Sequence, residues 1–266
     1  GYRPAWEAFR AAGARLIPIE IDSEGMDPDS FEKACRRHRI RLLYTTPLHQ
    51  YPTTATLPIS RRLRIYELAA KFGVPIIEDD YDHEFHYSSQ PLAPLAARDP
   101  QGLVIYVSTF SKILFPSARL GFMALPRGLA PALSRYRKIV SRQNETLLQD
   151  ALARWMEDGG FERHLRRMRR VYEERRSMTS LGLRAAVQQG LPWTCNPADG
   201  GMAAWVDLGQ EALPFCKKAL QNGVYLQPGD LYRLESRGRP STHVRLGFAC
   251  LTEGEIREGL KILVRL

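Results

Sequence analysis

Short apolar runs alternate with amphipathic stretches of helical period up to residue 125, and this alternation limits the fold more than any other feature of the chain. The apolar runs predict strands at residues 16–21, 42–45, 74–78, 103–107 and 120–125. Helices are predicted through residues 31–35, after a capping segment at 27–30, and at 59–72, closed by Gly73. Continuous apolar strands separated by helices are typical of a mostly parallel sheet buried on both faces. The sequence therefore predicts an α/β unit.

The pattern changes after residue 125. Helical periodicity extends from residue 130 to about 186, with a break at Gly159 and Gly160. Short strands are then predicted at 203–208 and 243–248, and helices at 212–222 and 253–266. We therefore expect an α/β large domain at residues 1–145 and, at residues 146–266, connecting helices and a smaller α+β C-terminal domain.

Composition excludes several classes of protein. The chain has 266 residues, 44% of them apolar, but no run approaches the ~18 unbroken apolar residues of a membrane helix. The first residues lack the charged and apolar regions of a signal peptide. The cysteines are far apart, which favours buried thiols in a reducing cytoplasm over disulfides or a metal site: Cys35, Cys195, Cys216 and Cys250.

The formal net charge is +9, and arginines are densest between residues 163 and 184. One interpretation is a face that binds nucleic acid. The other, which we favour, is a solvated helix flank in which Glu162, Glu173 and Glu174 provide local partners.

Polar side chains follow two of the predicted strands. Residues 78–81 (Glu-Asp-Asp-Tyr) end one buried strand, residues 108–112 (Ser-Thr-Phe-Ser-Lys) follow the next, and Arg119 comes seven residues after Lys112. In an open parallel sheet, ligands bind outside the carboxyl ends of the strands. We therefore expect an acid, a phenol, hydroxyls, a lysine and an arginine to share one crevice.

This set of groups matches the needs of a phosphorylated pyridine aldehyde. A lysine amine forms a Schiff base with the aldehyde, and a buried carboxylate keeps the ring nitrogen protonated. Hydroxyls and an arginine fork suit a phosphate dianion.

Residues 109–112 with Pro116 and residues 119–122 (Arg-Leu-Gly-Phe) resemble the Schiff-base segment of fold-type-I, class I/II aminotransferases that use pyridoxal 5′-phosphate. Residues 78–85 and 46–54 resemble one branch in particular, the MocR subgroup of GntR-family transcription regulators. Members of that branch fuse a winged-helix DNA reader to an aminotransferase-like domain. The resemblance runs over nearly the whole chain.

The resemblance implies a role for each matching residue. Lys112 forms the Schiff base and is the catalytic residue, Asp79 pairs with the pyridine nitrogen, and Tyr81 contacts the ring hydroxyl oxygen. The phosphate is held by Thr109, Ser111 and Arg119. Arg245 matches the arginine that binds the carboxylate of a substrate.

Simpler interpretations stay open for the same residues. Asp79 and Asp80 are also suited to cap a helix, Lys112 to be a solvated loop lysine, and Arg245 to form a surface ion pair. The histidines at 49, 83 and 86 lack metal-ligand spacing, and we expect them to have packing or supporting roles.

Two features depart from the family pattern. Aminotransferases usually have an asparagine where this chain has Tyr51, and His49 or Gln50 is a candidate substitute. The chain also begins without a methionine, so we expect it to be an N-terminally truncated fragment. The family's first strand, its phosphate loop, the ring-stacking aromatic and any DNA-binding domain are expected upstream.

Three functions follow as hypotheses. The first is a ligand-sensing domain of a regulator, expected to be dimeric, in which an amino compound acts through the cofactor and DNA is bound only by a domain absent from this chain. The second is an active class I/II aminotransferase that acts on an amino acid. The third is a structural remnant that only dimerises.

Overall fold

A computed structural model describes residues 1–87, 92–143, 145–195, 200–234 and 238–266. Its helices are α1 (Arg3–Ala11), α2 (Pro28–Arg37), α3 (Ile59–Phe72), α4 (Ala130–Ser141), α5 (Thr146–Glu157), α6 (Gly160–Gln188), α7 (Ala212–Gln221) and α8 (Glu253–Val264). Its strands are β1 (Ile21–Asp22), β2 (Gly25–Met26), β3 (Leu43–Thr45), β4 (Ile76–Asp79), β5 (Val104–Thr109), β6 (Gly121–Ala124), β7 (Thr194–Cys195), β8 (Ala203–Asp207), β9 (Gln227–Pro228) and β10 (His243–Gly247).

The first sheet has the strand order β3-β4-β5-β6. β3, β4 and β5 are parallel, and β6 runs antiparallel to β5. Because β3, β4 and β5 are parallel, Thr45, Asp79 and Thr109 all end their strands at the same edge of the sheet. This edge carries the residues that the sequence singles out.

Helices pack on this sheet through a buried apolar core. Phe31 from α2, Ile65 and Leu68 from α3, and Ile76 from β4 are all completely buried. Asp27 caps α2 by accepting hydrogen bonds from the backbone N–H groups of residues 29 and 30. Gly73 ends α3 in the left-handed conformation, with φ of 65°, which glycine adopts without strain.

The second sheet has the order β7-β8-β10-β9, and its neighbouring strands are antiparallel. It shares a core with α6, α7 and α8 to which Trp193, Leu208, Phe215, Phe248 and Leu260 contribute. In the described residues, no helix is long and apolar enough to cross a membrane.

The structure confirms the predicted α/β sheet and the following smaller α+β unit, with two corrections. The strand predicted at residues 16–21 is wrong, because only Ile21 pairs, in the short β1–β2 hairpin. The sheet is not buried on both faces throughout, since every residue of β6 is exposed.

Candidate cofactor site

Asp79 ends β4 and lies at the centre of the candidate site. Its carboxylate accepts a hydrogen bond of 2.5 Å from the hydroxyl of Tyr44 on the neighbouring strand β3. Burial raises the pKa of Asp79, as do the carboxylates of Asp82 and Asp80, whereas the Tyr44 hydroxyl and the Lys112 ammonium lower it. The charge of Lys112 therefore acts on Asp79 across the ends of adjacent strands.

Lys112 ends a turn of 3₁₀-helix, residues 110–112, that directly follows β5. The Thr109 hydroxyl caps this turn: it accepts from the backbone N–H of Ser111 at 3.1 Å and donates to the Leu120 carbonyl at 3.2 Å. Ile113 is buried immediately after the lysine, whereas Lys112 itself is exposed. The turn is thus anchored on both sides, and it presents the amine at the sheet edge.

Arg119 follows a second 3₁₀ turn, residues 116–118, and has left-handed backbone angles with φ of 48°. Burial and the neighbouring Tyr51 and Asp79 raise the pKa of Tyr2, whereas the Arg119 guanidinium lowers it. Arg119 and Asp79 therefore both influence the ionisation of Tyr2, with opposite signs.

Tyr81 lies two residues beyond β4 and donates a hydrogen bond of 3.2 Å to the His49 carbonyl. Burial raises the pKa of Tyr81 well above its usual value, and the Asp82 carboxylate raises it further, while Arg245 lowers it. At neutral pH the side chain is consequently a neutral phenol that donates a hydrogen bond.

Arg245 comes to this site from the second sheet. It lies on β10, and its guanidinium carbon is 4.9 Å from the ring centroid of Tyr51. Its Nε is buried and has no hydrogen-bond partner among the described residues. A buried donor without a partner is costly in free energy, and a carboxylate is the group best able to satisfy it.

Tyr51 is the centre of an aromatic cluster between the two sheets. Its ring makes edge contacts with Tyr2, Tyr81 and Tyr232, with centroid distances of 5.2, 5.9 and 5.5 Å. Trp205 contacts Tyr232 in turn, at 5.9 Å. The position at which the family usually has asparagine is therefore occupied by a packed aromatic ring.

Both candidate substitutes for that asparagine hydrogen-bond to other groups. The His49 ring bonds to Asp82, with 2.8 Å between Nδ1 and Oδ1. Gln50 donates to the Tyr51 carbonyl at 2.7 Å and accepts from the Thr53 hydroxyl at 2.6 Å. Tyr44, in contrast, contacts the proposed cofactor acid directly and was not singled out from the sequence. Its contact with Asp79 joins residues 35 positions apart, so no local pattern in the sequence identifies it.

These residues fit pyridoxal 5′-phosphate chemically. The accessible Lys112 acts electrostatically on Asp79, and Asp79 and Arg245 act on the Tyr81 phenol. Arg245 Nε, which has no partner in the part of the chain that the structure describes, adds a subsite for an anion. Thr109 and Ser111 lie in the turn beside Lys112, although the Thr109 hydroxyl already caps that turn.

The fold and these groups define the class of protein. A family profile described as "Aminotransferase class I and II" matches residues 2–263, and the chain belongs to this family. Membership confirms the resemblance and fold class predicted from the sequence, and at the level of the family it confirms pyridoxal 5′-phosphate as the cofactor.

The relatives include both regulators and enzymes. The chain is 33% identical to the probable rhizopine catabolism regulatory protein MocR of Rhizobium meliloti, covering 99% of the chain and 52% of that protein. It is 32% identical to aromatic-amino-acid aminotransferase 1 of Thermococcus litoralis, covering 98% of the chain and 64% of that enzyme. The chain thus spans between about half and two thirds of these curated relatives.

Solved structures agree with this assignment. The chain superposes on the α-aminoadipate aminotransferase LysN of Thermus thermophilus, a complex with N-(5′-phosphopyridoxyl)-L-leucine, with a TM-score of 0.89 and 29% identity. The superposition covers 99% of this chain and 68% of LysN. The chain is therefore an aminotransferase-like domain with relatives among MocR-type regulators and among aminotransferases.

Proposed function

We propose that this chain is the effector-sensing domain of a MocR-type transcription regulator, which holds pyridoxal 5′-phosphate at Lys112 and recognises an amino compound. One observation carries the proposal: Asp79 ends β4, Lys112 closely follows the end of the adjacent parallel strand β5, and the Lys112 ammonium lowers the pKa of the partly buried Asp79 carboxylate. Relatives on both the regulator and the enzyme side support it.

Each residue has a defined task in this proposal. Lys112 bonds covalently to the cofactor, and Asp79, itself held by Tyr44, pairs with the pyridine nitrogen. Tyr81, whose proton is donated to the His49 carbonyl, contacts the ring hydroxyl oxygen through its phenol oxygen. The phosphate is bound by Thr109, Ser111 and Arg119. When bound, the cofactor supplies an aldehyde for amine capture and an electron-withdrawing ring.

Arg245 selects the ligand in this account. Its buried Nε, without a hydrogen-bond partner within the described ranges, lies beside the aromatic cluster of Tyr51 and favours an amino compound that carries a carboxylate. Because a ligand shifts a conformational equilibrium only through different affinities for two states, the arginine is the group through which such a ligand acts on the second sheet.

The wider arrangement is also a proposal. The large domain comprises residues 1–145, and residues 146–266 comprise the connecting helices and small domain. DNA is contacted by a domain outside this chain, and the protein acts in the cytoplasm as a homodimer. Exposed apolar side chains on β6 and α4 support self-association: Phe122, Met123, Tyr136, Ile139 and Val140.

The test is the visible spectrum of the full-length protein loaded with cofactor, titrated with each of the common amino acids. We expect at least one of them to shift the spectrum and to change the affinity for promoter DNA, with no release of keto acid. Arg245→Gln is expected to weaken the response to carboxylate-bearing amines while leaving cofactor binding intact. If no amino acid changes the spectrum, the sensing proposal is wrong.

The second candidate is an active aminotransferase, which the retained Arg245 favours. In that case the Lys112 amine, displaced by the substrate amine, carries the proton between substrate and cofactor. Single-turnover release of a keto acid from the loaded protein, quantified chemically, distinguishes this activity from sensing.

A further inference from the structure

A buried acid–imidazole pair lies directly behind Tyr81. Asp82 and His49 are each 1% exposed, and 2.8 Å separates Asp82 Oδ1 from His49 Nδ1. Neither residue has a task in the proposed function. Burying a carboxylate costs several kcal/mol unless partners compensate for the lost water, so the pair requires an explanation.

The pair is connected to Tyr81 through the backbone of His49. The Tyr81 hydroxyl donates to the His49 carbonyl at 3.2 Å, and Tyr81 and Asp82 are neighbours in the chain. Asp82 therefore holds the ring of His49, and the backbone carbonyl of the same histidine holds the Tyr81 hydroxyl. On its other side, His49 Nε2 lies 3.4 Å from Nδ1 of His86.

The segment that leads into β8 of the second sheet packs closely against the His49 imidazole. A Cβ added to Gly200 would lie 2.3 Å from His49 Nε2 and 2.6 Å from the Phe85 carbonyl oxygen, so only glycine fits. Gly200 forms an isolated bridge with His86, and the Gly201 N–H donates to the Phe85 carbonyl at 2.7 Å. β8, which begins three residues after Gly200, pairs with the Arg245 strand.

We infer that Asp82 and His49 are positioning residues for the Tyr81 phenol: Asp82 orients the His49 imidazole, and His49 holds the phenol through its carbonyl and the segment at Gly200 through its ring. This inference rests on the proposed function, because it concerns how Tyr81 is presented to the cofactor. It also links the Tyr81 and Arg245 sides of the site through one buried histidine.

The environment of Asp82 indicates that this residue acts in the site and does not mainly stabilise the fold. Its second oxygen, Oδ2, accepts no hydrogen bond from the described part of the chain. A half-satisfied buried carboxylate is a poor stabilising element. Asp82 also raises the pKa values of both Tyr81 and Asp79, where burial is the larger cause, so its charge reaches both groups.

A double-mutant cycle on the full-length protein tests the inference. Pyridoxal 5′-phosphate is titrated into wild type, Asp82→Asn, Tyr81→Phe and the double variant, and the dissociation constant and visible absorbance maximum are recorded. We expect Asp82→Asn to weaken cofactor binding by about tenfold and to move the band, because coupled neighbours interact on this scale. In the Tyr81→Phe background, we expect the same substitution to change the dissociation constant by less than about twofold.

Equal factors in the two backgrounds would overturn the positioning role while leaving the proposed function intact. Failure of wild type to bind the cofactor would overturn both. If Asp82→Asn does not fold, His49→Gln replaces it in the cycle with the same expectation.

Asp99→Asn is the matched control. Asp99 accepts a hydrogen bond of 2.7 Å from the Tyr66 hydroxyl, which reproduces an acid–tyrosine contact away from the site. We expect this variant to lower thermal stability without changing the cofactor dissociation constant or the band. A change in either cofactor readout equal to that of Asp82→Asn would mean that general loss of stability explains the effect.

Discussion

At the scale of single residues, Asp79 shows how function and stability oppose each other. A carboxylate that is partly withdrawn from water and surrounded by Asp80 and Asp82 favours its protonated form, and the pKa of Asp79 is raised accordingly. A positively charged pyridinium ring would lower the free-energy cost of ionising this carboxylate. The residue is thus prepared for a cationic partner at the cost of the stability of the cofactor-free protein.

This opposition predicts the pH dependence of Asp79→Asn. A carboxyl whose pKa is raised in the folded state contributes stability at pH values below its unfolded pKa, and that contribution is lost as the pH rises through the folded value. Removing the charge should therefore stabilise the cofactor-free protein at pH 7, with no gain at low pH. Urea unfolding at both pH values measures the difference.

Asp22→Asn is the control of opposite sign. The hydrogen bond from Arg61 lowers the pKa of Asp22, so its charge is favourable at neutral pH and the variant should lose stability there. Destabilisation of Asp79→Asn at pH 7 would contradict the account of Asp79.

At the scale of elements, α8 depends on its first turn. The Thr252 hydroxyl accepts from the Glu255 N–H, and the Glu255 carboxylate accepts from the Thr252 N–H, a reciprocal capping box. The helix then buries Ile256, Leu260 and Leu263 in the core of the second sheet. The capped N-terminus of α8 therefore stabilises a helix that contributes to that core.

We expect Thr252→Ala to lower the free energy of unfolding by about 1 kcal/mol, because one backbone donor loses its partner. Thr252→Ser keeps the hydroxyl and should retain most of that stability. Chemical denaturation of the two variants measures both values. Equal loss in both would show that the methyl group, not the cap, contributes the stability.

Elements with local signals could be predicted, whereas those that need partners could not. Pattern and cap residues identified α2 and α3 with their ends at Asp27 and Gly73, because these signals act within one turn. Residues 16–21 have strand composition but pair only at Ile21, since a strand exists only where a neighbouring backbone accepts its hydrogen bonds. The short strands β7 and β9 were missed for the same reason.

The same distinction applies to the site: residues with a local signal could be predicted, and residues that depend on distant contacts could not. Asp79, Tyr81 and Lys112 stand out because strand ends collect ligands. Tyr44 and the Asp82–His49 pair depend on contacts between residues more than 30 positions apart, and nothing in the local sequence identifies them. The resemblance predicted that Arg245 belongs to the site. Its contact with the ring of Tyr51 became visible only in three dimensions.

At the scale of the whole molecule, the exposed apolar side chains of α4 bear on assembly. Ile139 is 79% exposed, and its neighbours Tyr136 and Val140 are each 64% exposed. Ile139→Asp should shift the full-length protein toward monomer in sedimentation velocity if these side chains join two copies. Leu181→Asp, at a residue of α6 that is 60% exposed, is the matched control and should leave the distribution unchanged. An unaltered dimer in Ile139→Asp would place the interface elsewhere.

In the proposed site, Asp79 and Lys112 bind the two ends of one cofactor ring. The most direct measurement adds pyridoxal 5′-phosphate to the full-length protein, reduces the complex with borohydride and maps the labelled peptide by mass spectrometry. We predict a visible absorbance band and a label on Lys112 in wild type and in Lys71→Ala, and neither in Lys112→Ala. A wild-type protein without the band, or a label on another lysine, would contradict the account.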